Sequence, residues 1–358
     1  MANTKKTKIL VEMMHGMGDA VCALPMLQTI RMNYPDSEIT VLTKFASAAQ
    51  ILEASHIPLD QVLSLDIYKD LKKSVSFLWK LRQKQFDYGI SSCITPVKKA
   101  KMIMAFIHPK YVVGIQNQGV YYDDLQDKYH FVDANLLSIR DFSHLPKEKL
   151  YPRLYPDENL RAKILSELTA QNQEDEHKKR IGVCIGDADC SLKNRWLRTG
   201  KVHTRSWGIE NMAALINLLL KRDDVQVILI GGNAEKKLLP TLQKENLLEN
   251  KNVNNFVGKT SLRESIALAS LCDVALGVDT GMQHIAAATG TTTISVFGPT
   301  NPLTHGAYAE NAHFITAPER CEYQYCYGTD RYVNCPNQRK CLKNISPEYV
   351  YEMVERFL

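Results

Sequence analysis

The sequence has no long apolar run, few cysteines for its length and no strong excess of one charge. The longest apolar stretches, around 212–220 and 225–232, fall well short of the roughly 18–20 residues that a membrane-spanning helix needs. Neither an apolar segment nor a small-residue cleavage site follows the first six residues, so they do not read as a secretion signal. We therefore expect a cytoplasmic protein that is neither secreted nor membrane-spanning.

The near balance of charge excludes a dedicated nucleic-acid binder. Forty-four Lys and Arg against 39 Asp and Glu give a net charge of +5 over 358 residues. This small surplus suits an anionic ligand, but it predicts no nucleic-acid partner. Nine cysteines are too few for a disulfide scaffold. With 45% hydrophobic and 23% charged residues, the chain is typical of a globular protein long enough for two domains.

Strand-like and helix-like segments alternate along the chain, which is typical of parallel sheets built from β-α-β units. Strands are predicted at 8–13, 38–43, 86–91, 111–114, 180–185, 225–231, 274–277 and 292–297, and helices at 20–33, 46–54, 157–171, 211–220, 261–270 and 281–289. A polar run at 171–180 interrupts this alternation. The sequence therefore predicts α/β domains at residues 1–175 and 176–345. A C-terminal helix is predicted at 346–358, where Ser-Pro-Glu supplies an N-cap, a first-turn proline and an acid.

The first strand leads into a turn that contains Gly16, Gly18 and Asp19. We expect the two glycines to permit a tight turn with positive φ. This turn is not a dinucleotide-binding loop, because Val21 replaces the third small residue and Asp19 would repel a pyrophosphate at the helix N-terminus. Asp19 is therefore either a helix cap or a carboxylate at a strand end that takes a proton from a hydroxyl.

A second polar turn follows the strand at 274–277 and contains Asp279, Thr280, Gly281 and His284. The first helical amides, the Thr280 hydroxyl and the His284 imidazole could bind an anion without a Walker lysine. The alternative is a threonine N-cap beside a packed histidine. A rigid Gly-Pro-Thr turn at 298–300 ends the next strand, so polar turns follow two successive strands and favour a site.

Two further residues could serve the same site. Arg205 precedes a predicted helix and could neutralise a phosphate. Glu235 follows a strand, where a carboxylate can accept hydrogen bonds from ribose hydroxyls. The alternative for both is a solvated surface position. The loop at 187–201 carries four Lys and Arg, and it could either cover a bound diphosphate or remain solvated.

The order of these segments resembles glycosyltransferase family 9, the heptosyltransferase group. The matching stretches are Gly-Met-Gly-Asp at 16–19, Arg-Ser-Trp at 205–207, Gly-Gly-Asn-Ala-Glu at 231–235, Asp-Thr-Gly-Met-Gln-His at 279–284 and Phe-Gly-Pro-Thr at 297–300. The resemblance implies a GT-B architecture, in which two Rossmann-like parallel-sheet domains face each other across a cleft. It also implies a metal-independent, inverting transfer of heptose from ADP-heptose, usually to a lipopolysaccharide core sugar.

The resemblance further implies a role for each candidate residue. Asp19 would be the general base. In the donor domain, Thr280, Gly281 and His284 would hold the diphosphate, Arg205 would replace the family's phosphate-binding lysine, Glu235 would meet the ribose and Asp279 the sugar hydroxyls. Catalysis would need no cofactor. One alternative is a transferase with a protein or small-molecule acceptor or with a hexose donor. The others are a nucleotide-sugar epimerase and a non-catalytic nucleotide-sugar-binding protein.

Four of the cysteines cluster near the C-terminus, at Cys321, Cys326, Cys335 and Cys341. Four thiolates can close a structural zinc or iron site. Similar clusters occur in parts of the family, and its protein-modifying members use one to hold iron. Two disulfides, which a reducing cytosol disfavours, and four reduced thiols are the alternatives.

The segment 69–110 contains ten Lys and Arg but two acids, interleaved with aromatic and methionine side chains. One interpretation is a solvated helix face. The other is a patch that meets anionic lipid phosphates, which would place the protein peripherally at the inner membrane face. Such a patch would equally suit an acidic protein or a phosphorylated small acceptor.

Overall fold

The computed structural model describes residues 6–14, 16–66, 71–114, 129–171, 178–186 and 205–358. They form two compact units that divide between Tyr155 and Pro156, whereas the sequence analysis placed the division near residue 175. The helix at 158–171 accounts for this correction. Its buried Ile164 and Leu168 pack in one apolar cluster with Leu268 of the second unit, so the helix belongs to that unit.

The first unit is built on a five-stranded parallel sheet. Its strands are β1 (Lys8–Met13), β2 (Glu38–Thr43), β3 (Gln61–Ser64), β4 (Tyr88–Ser91) and β5 (Tyr111–Val113). Its helices are α1 (Met17–Asn33), α2 (Ala46–Ala54), α3 (Leu71–Gln83), α4 (Val97–Ile107) and α5 (Phe131–Ser138). The strand order is β3-β2-β1-β4-β5, with β1 at the centre and buried from its second residue onward, as both faces of a parallel strand usually are.

The second unit is built on a six-stranded parallel sheet in the order β11-β10-β9-β6-β7-β8. These strands are β6 (Lys179–Cys184), β7 (Val225–Ile230), β8 (Val253–Asn255), β9 (Val274–Val278), β10 (Thr292–Val296) and β11 (Ala312–Ile315). The helices are α6 (Glu158–Gln171), α7 (Ile209–Leu219), α8 (Leu239–Lys244), α9 (Leu262–Ala269), α10 (Gly281–Ala288), α11 (Pro302–His305), α12 (Asp330–Val333), α13 (Lys340–Lys343) and α14 (Pro347–Glu355). Two 3-10 helices cover Asn233–Leu238 and Leu247–Glu249.

Each sheet has one point where the strand order reverses, between β1 and β4 in the first unit and between β6 and β9 in the second. In open parallel sheets, ligands bind beyond the carboxyl ends of the strands at such a switch point. The two polar turns predicted from the sequence follow β1 and β9. The topology therefore places both of them where a site is expected.

The C-terminal helix α14 is part of the second unit's core. Its N-cap is confirmed, because the Ser346 hydroxyl accepts a hydrogen bond from the Tyr349 amide at 3.1 Å. Val350 and Val354 are buried in the same apolar cluster as Leu215 and Ile216 of α7. Across the described ranges, the helices are all too short or too polar to cross a bilayer.

Candidate functional site

The carboxyl ends of β6 and β9 bring most of the predicted donor-binding residues together. Asp279 and Thr280 follow β9 directly, and Gly281 begins α10. His284 lies one helical turn beyond Thr280 and is 9% exposed. A cavity of about 220 Å³ opens at the same strand ends, between Gly186 after β6 and the start of α7.

Asp279 and Arg205 form an ion pair at this site. Asp279 Oδ2 accepts hydrogen bonds from Arg205 Nη1 at 3.1 Å and from the Thr300 hydroxyl at 2.8 Å. Burial is the largest single influence on the pKa of Arg205 and lowers it, but the Asp279 charge and hydrogen bond, together with Tyr327 and Tyr332, make the net shift upward. Arg205 is therefore not a solvated surface arginine. The two residues were predicted to contact the donor separately, and their pairing was not predicted.

The Thr280 hydroxyl is buried and makes no hydrogen bond within the described structure. Thr280 occupies the N-cap position of α10, yet its side chain makes no capping hydrogen bond. Its Oγ1 has no other partner among the described residues, so the interpretation of Thr280 as a side-chain cap is wrong. A buried polar group without a partner costs about 1–3 kcal/mol. An oxygen of an anion at this helix end would give the hydroxyl a partner alongside the helix amides.

Close packing beneath Thr280 fixes the start of α10. A Cβ atom on Gly277 would lie 2.6 Å from Gln283 Nε2 and 3.1 Å from Cys184 Cβ, so any larger residue would disturb the packing. The buried Gln283 also accepts a hydrogen bond from the Ser295 hydroxyl at 3.0 Å. These contacts tie α10 to β6, β9 and β10.

Glu235 lies after β7 and is held by its own turn. Its Oε2 accepts the Gly232 amide at 2.7 Å. A Cβ atom on Gly186 would come within 2.9 Å of Glu235 Cγ, so the side chain packs against the end of β6. The carboxylate is half-buried rather than free in solvent.

Asp19 caps the first helix of the first unit. Its Oδ2 accepts the Gly16 amide at 3.1 Å, so the capping interpretation is confirmed. The expected positive φ is wrong, because Gly16 has φ −77° and Gly18 is a helical residue of α1. Capping orients the half-buried carboxylate without preventing proton transfer, and the role of Asp19 as a base stays a prediction.

A second carboxylate, Glu12 on β1, was missed by the sequence analysis. It is 0% exposed and accepts hydrogen bonds from the Ser91 hydroxyl at 2.6 Å, the Thr95 hydroxyl at 3.0 Å and the Met14 amide at 3.0 Å. Burial raises the pKa of Glu12 to about 7, although these hydrogen bonds oppose the shift. An acid inside an otherwise apolar central strand is the signal that could have revealed it.

The four clustered cysteines line one small cavity, of about 10 Å³. They are free thiols, and two of their sulfur atoms accept N–H hydrogen bonds at 3.3 Å, Cys321 from Asn337 and Cys335 from Arg339. Burial, followed by the neighbouring cysteines, raises the pKa of Cys341 to about 12. Among the described residues, no group of three or more His, Cys, Asp or Glu has the geometry of a metal site.

The basic segment at 69–110 forms α3, β4 and α4 in its described part. Trp79 and Met102 are 53% and 54% exposed, whereas Phe86 and Met104 lie in the core. Among the side chains that the structure describes, the exposed lysines on these two helices are Lys73, Lys80, Lys98, Lys99 and Lys101. The basic loop predicted at 187–201 lies outside the described residues.

Two parallel-sheet α/β units of this kind define a GT-B fold, as the sequence analysis predicted. The model of glycosyltransferase family 9 (heptosyltransferase) matches residues 76–330, and the chain belongs to this family. It is therefore a glycosyltransferase, and the predicted family is confirmed.

Known relatives extend over nearly the whole chain. The lipooligosaccharide heptosyltransferase 2 of Campylobacter jejuni is 23% identical over 353 residues, which are 98% of each protein. The family 9 glycosyl transferase from Veillonella parvula has a TM-score of 0.78 at 18% identity and covers 98% of this chain and 97% of its own. Escherichia coli heptosyltransferase WaaC with ADP has a TM-score of 0.66 at 17% identity, with 98% and 100% coverage.

Proposed function

We propose that the protein transfers heptose from ADP-heptose to an acceptor hydroxyl with inversion, and that the acceptor is a lipopolysaccharide core sugar. The observation that carries the proposal is the buried Thr280 hydroxyl at the N-terminus of α10, which has no hydrogen-bond partner among the described residues. A diphosphate supplies the oxygen acceptors that this hydroxyl and the adjacent amides lack. The WaaC structure with ADP and the lipooligosaccharide-acting relative support the classes of donor and acceptor.

The donor side would stabilise the leaving group. Negative charge builds on the diphosphate as the sugar departs, and donors fixed in advance stabilise such charge best. Thr280, the Gly281 amide and His284 would meet the diphosphate, and Arg205 would add positive charge. Asp279 would accept hydrogen bonds from the sugar hydroxyls. Glu235 would accept hydrogen bonds from the ribose hydroxyls.

The acceptor side needs a single base. Asp19 would take the proton of the acceptor hydroxyl while the new bond to the anomeric carbon forms. The bond from that carbon to the phosphate oxygen breaks in the same step, and ADP leaves with its electron pair. One displacement from the face opposite the diphosphate inverts the anomeric centre, so no second catalytic carboxylate is required.

Turnover of ADP-heptose tests this proposal directly. ADP release would be followed with a lipopolysaccharide core, a protein and a small-molecule acceptor, and the product's anomeric configuration read by NMR. Thr280→Val should weaken ADP binding about tenfold, since a hydrogen bond to a charged group contributes about 1.5–3 kcal/mol. Asp19→Asn should abolish turnover and keep ADP binding.

Two variants serve as matched controls. Thr289→Val alters a threonine at the opposite end of α10, and Asp36→Asn alters an exposed aspartate of the first unit; both should behave like the wild type. A wild-type chain that does not bind ADP would refute the proposal. Full turnover by Asp19→Asn would refute the assignment of the base, and binding without turnover on any acceptor would favour a non-catalytic binding protein.

We also propose that the four clustered cysteines hold a structural zinc or iron ion. Four thiols around one small cavity are a donor set that suits either metal. The two N–H···S hydrogen bonds resemble the outer contacts that orient metal ligands. Because the thiols do not have metal-site geometry as described, binding would require their side chains to rotate.

Metal analysis of freshly purified protein tests this second proposal. We expect about one zinc or iron ion per chain, lost in Cys326→Ser and retained in Cys272→Ser, which alters a buried cysteine outside the cluster. Metal-free wild-type protein would contradict it.

For the exposed face of α3 and α4, we propose contact with anionic lipid. Lysines flank the exposed Trp79 and Met102, a combination that suits a negatively charged membrane surface. The chain should sediment with phosphatidylglycerol vesicles and remain free with phosphatidylcholine vesicles. Trp79→Ser should weaken the binding. Equal sedimentation with both lipids, or with neither, would contradict it.

A further inference from the structure

Tyr327 connects the cysteine-rich loop, residues 321–341, to the donor-binding strand end. It follows Cys326, and its backbone amide donates a hydrogen bond to the Pro299 carbonyl at 3.1 Å. The Arg205 guanidinium lies over its ring, with 5.6 Å between Cζ and the ring centroid. A cation at this distance from an aromatic face is attracted to it.

The ring of Tyr327 is itself held in place. Two other rings meet it edge to face, His305 at 5.4 Å and Tyr332 at 5.0 Å between centroids. The loop is also fastened to the strand end by Gln324, whose Nε2 donates to the Gly298 carbonyl at 3.1 Å. The loop therefore packs on the same 298–300 turn that supplies Thr300 to Asp279.

Within the described ranges, Arg205 has few other contacts that could set its orientation. Nη1 binds Asp279, while the buried Nε has no hydrogen-bond partner in the described part of the chain. One ion pair allows a guanidinium to swing about that contact, so the second constraint comes from the face of Tyr327. Loss of the Tyr327 ring would leave the Arg205 charge in place but would remove the fixed orientation of the guanidinium.

We propose that Tyr327 is a positioning residue that holds Arg205 for donor binding, so that donor affinity depends on the cysteine-rich loop. The inference rests on the proposed function, in which Arg205 adds positive charge at the diphosphate. Tyr327 acts through Arg205 and does not touch the donor. The aromatic face is what matters, so phenylalanine should replace it.

The test compares three single variants of the full chain by ADP titration calorimetry and by donor kinetics. Tyr327→Leu should weaken ADP binding about tenfold and raise the donor KM by a similar factor, with a smaller effect on kcat. Tyr327→Phe should stay within about twofold of the wild type. Tyr323→Leu is the matched control, because Tyr323 lies in the same loop and stacks on Arg331 at 4.4 Å; it should leave ADP binding unchanged.

A double-mutant cycle separates positioning from general loosening of the loop. In an Arg205→Gln background, Tyr327→Leu should cause no additional loss of ADP affinity, and this result remains informative if the single variant is less stable. An undiminished effect in that background, equal losses in Tyr323→Leu and Tyr327→Leu, or unaltered binding by Tyr327→Leu would overturn the inference alone. A wild-type chain that does not bind ADP would overturn the proposed function as well.

Discussion

The buried Glu12 should make the stability of the protein depend on pH, and Glu12→Gln should remove that dependence. The pKa of Glu12 rises from 4.5 to about 7 because burial disfavours the charged form. Between pH 4.5 and about 7, Glu12 therefore keeps its proton in the folded chain and releases it in the unfolded chain. The stabilisation from the neutral form is complete below pH 4.5 and is lost as the pH rises toward 7.

The size of the effect follows from the shift. At about 1.4 kcal/mol per pKa unit, the pKa shift of Glu12 corresponds to about 3 kcal/mol of unfolding free energy. The three hydrogen-bond partners of Glu12 are two hydroxyls and one amide, all neutral, so no ion pair is lost in the glutamine variant. Its amide can donate to the Ser91 hydroxyl, while its carbonyl accepts from the Met14 amide.

Calorimetric unfolding at pH 5, 6, 7 and 8 measures this difference. At pH 8 the glutamine variant should melt about 6–12 °C above the wild type, because 1 kcal/mol shifts the melting temperature of a domain of this size by about 2–4 °C. At pH 5 the difference should be much smaller, because most of the stabilisation from the neutral form is still present. Glu148→Gln, at an exposed position of the same unit, should follow the wild type throughout. Parallel curves for Glu12→Gln and wild type would refute the reasoning.

Three other substitutions have defined consequences. Gly277→Ala would place its Cβ 2.6 Å from a buried glutamine amide, and overpacking of this kind should cost about 1–3 kcal/mol in urea unfolding. Asp279→Asn leaves the partly buried Arg205 without its counter-ion and should cost about 2–3 kcal/mol by the same measurement, with weaker ADP binding. Trp207→Phe removes the indole N–H that bonds the Ile345 carbonyl at 2.9 Å; calorimetry should show about 1–3 kcal/mol lost. A loss below about 0.5 kcal/mol in any of the three would contradict the contact behind it.

The central strands could be predicted from sequence, whereas the edge strands β3, β8 and β11 could not; the edge strand β5 is the exception. β1 and β2 have the predicted bounds, because apolar and β-branched runs mark strands that are buried on both faces. The edge strand β3 reads Gln-Val-Leu-Ser and has no fully buried residue, so no apolar run reveals it. The edge strands β8 and β11 are likewise short. Apolar runs mark the buried central strands in the sequence, and the short strands β3, β8 and β11 lack such runs.

Local features of the site could likewise be predicted from sequence, and long-range contacts could not. The Asp279–His284 turn is local, so its residue types and spacing can be read directly. The ion pair between Asp279 and Arg205 joins residues 74 positions apart, and pairings at that distance depend on how the sheet is assembled. The free Thr280 hydroxyl depends on the side chain's orientation, which the residue type does not determine.

The pairing of Arg205 with Asp279 changes how the proposed donor site would attract a diphosphate. The lysine-like role implied by the family resemblance assumes an uncompensated positive charge, but this arginine faces a carboxylate that cancels most of its field at long range. Under the proposed function, attraction would then come from groups that act at contact distance, namely the α10 amides and the Thr280 hydroxyl. The contribution of Arg205 to diphosphate binding would depend on the orientation of its guanidinium rather than on net charge. A guanidinium bonded to Asp279 through Nη1 still has other N–H groups that can donate to a ligand. A site of this kind loses affinity when the guanidinium is free to turn, which is why the aromatic ring packed against it matters.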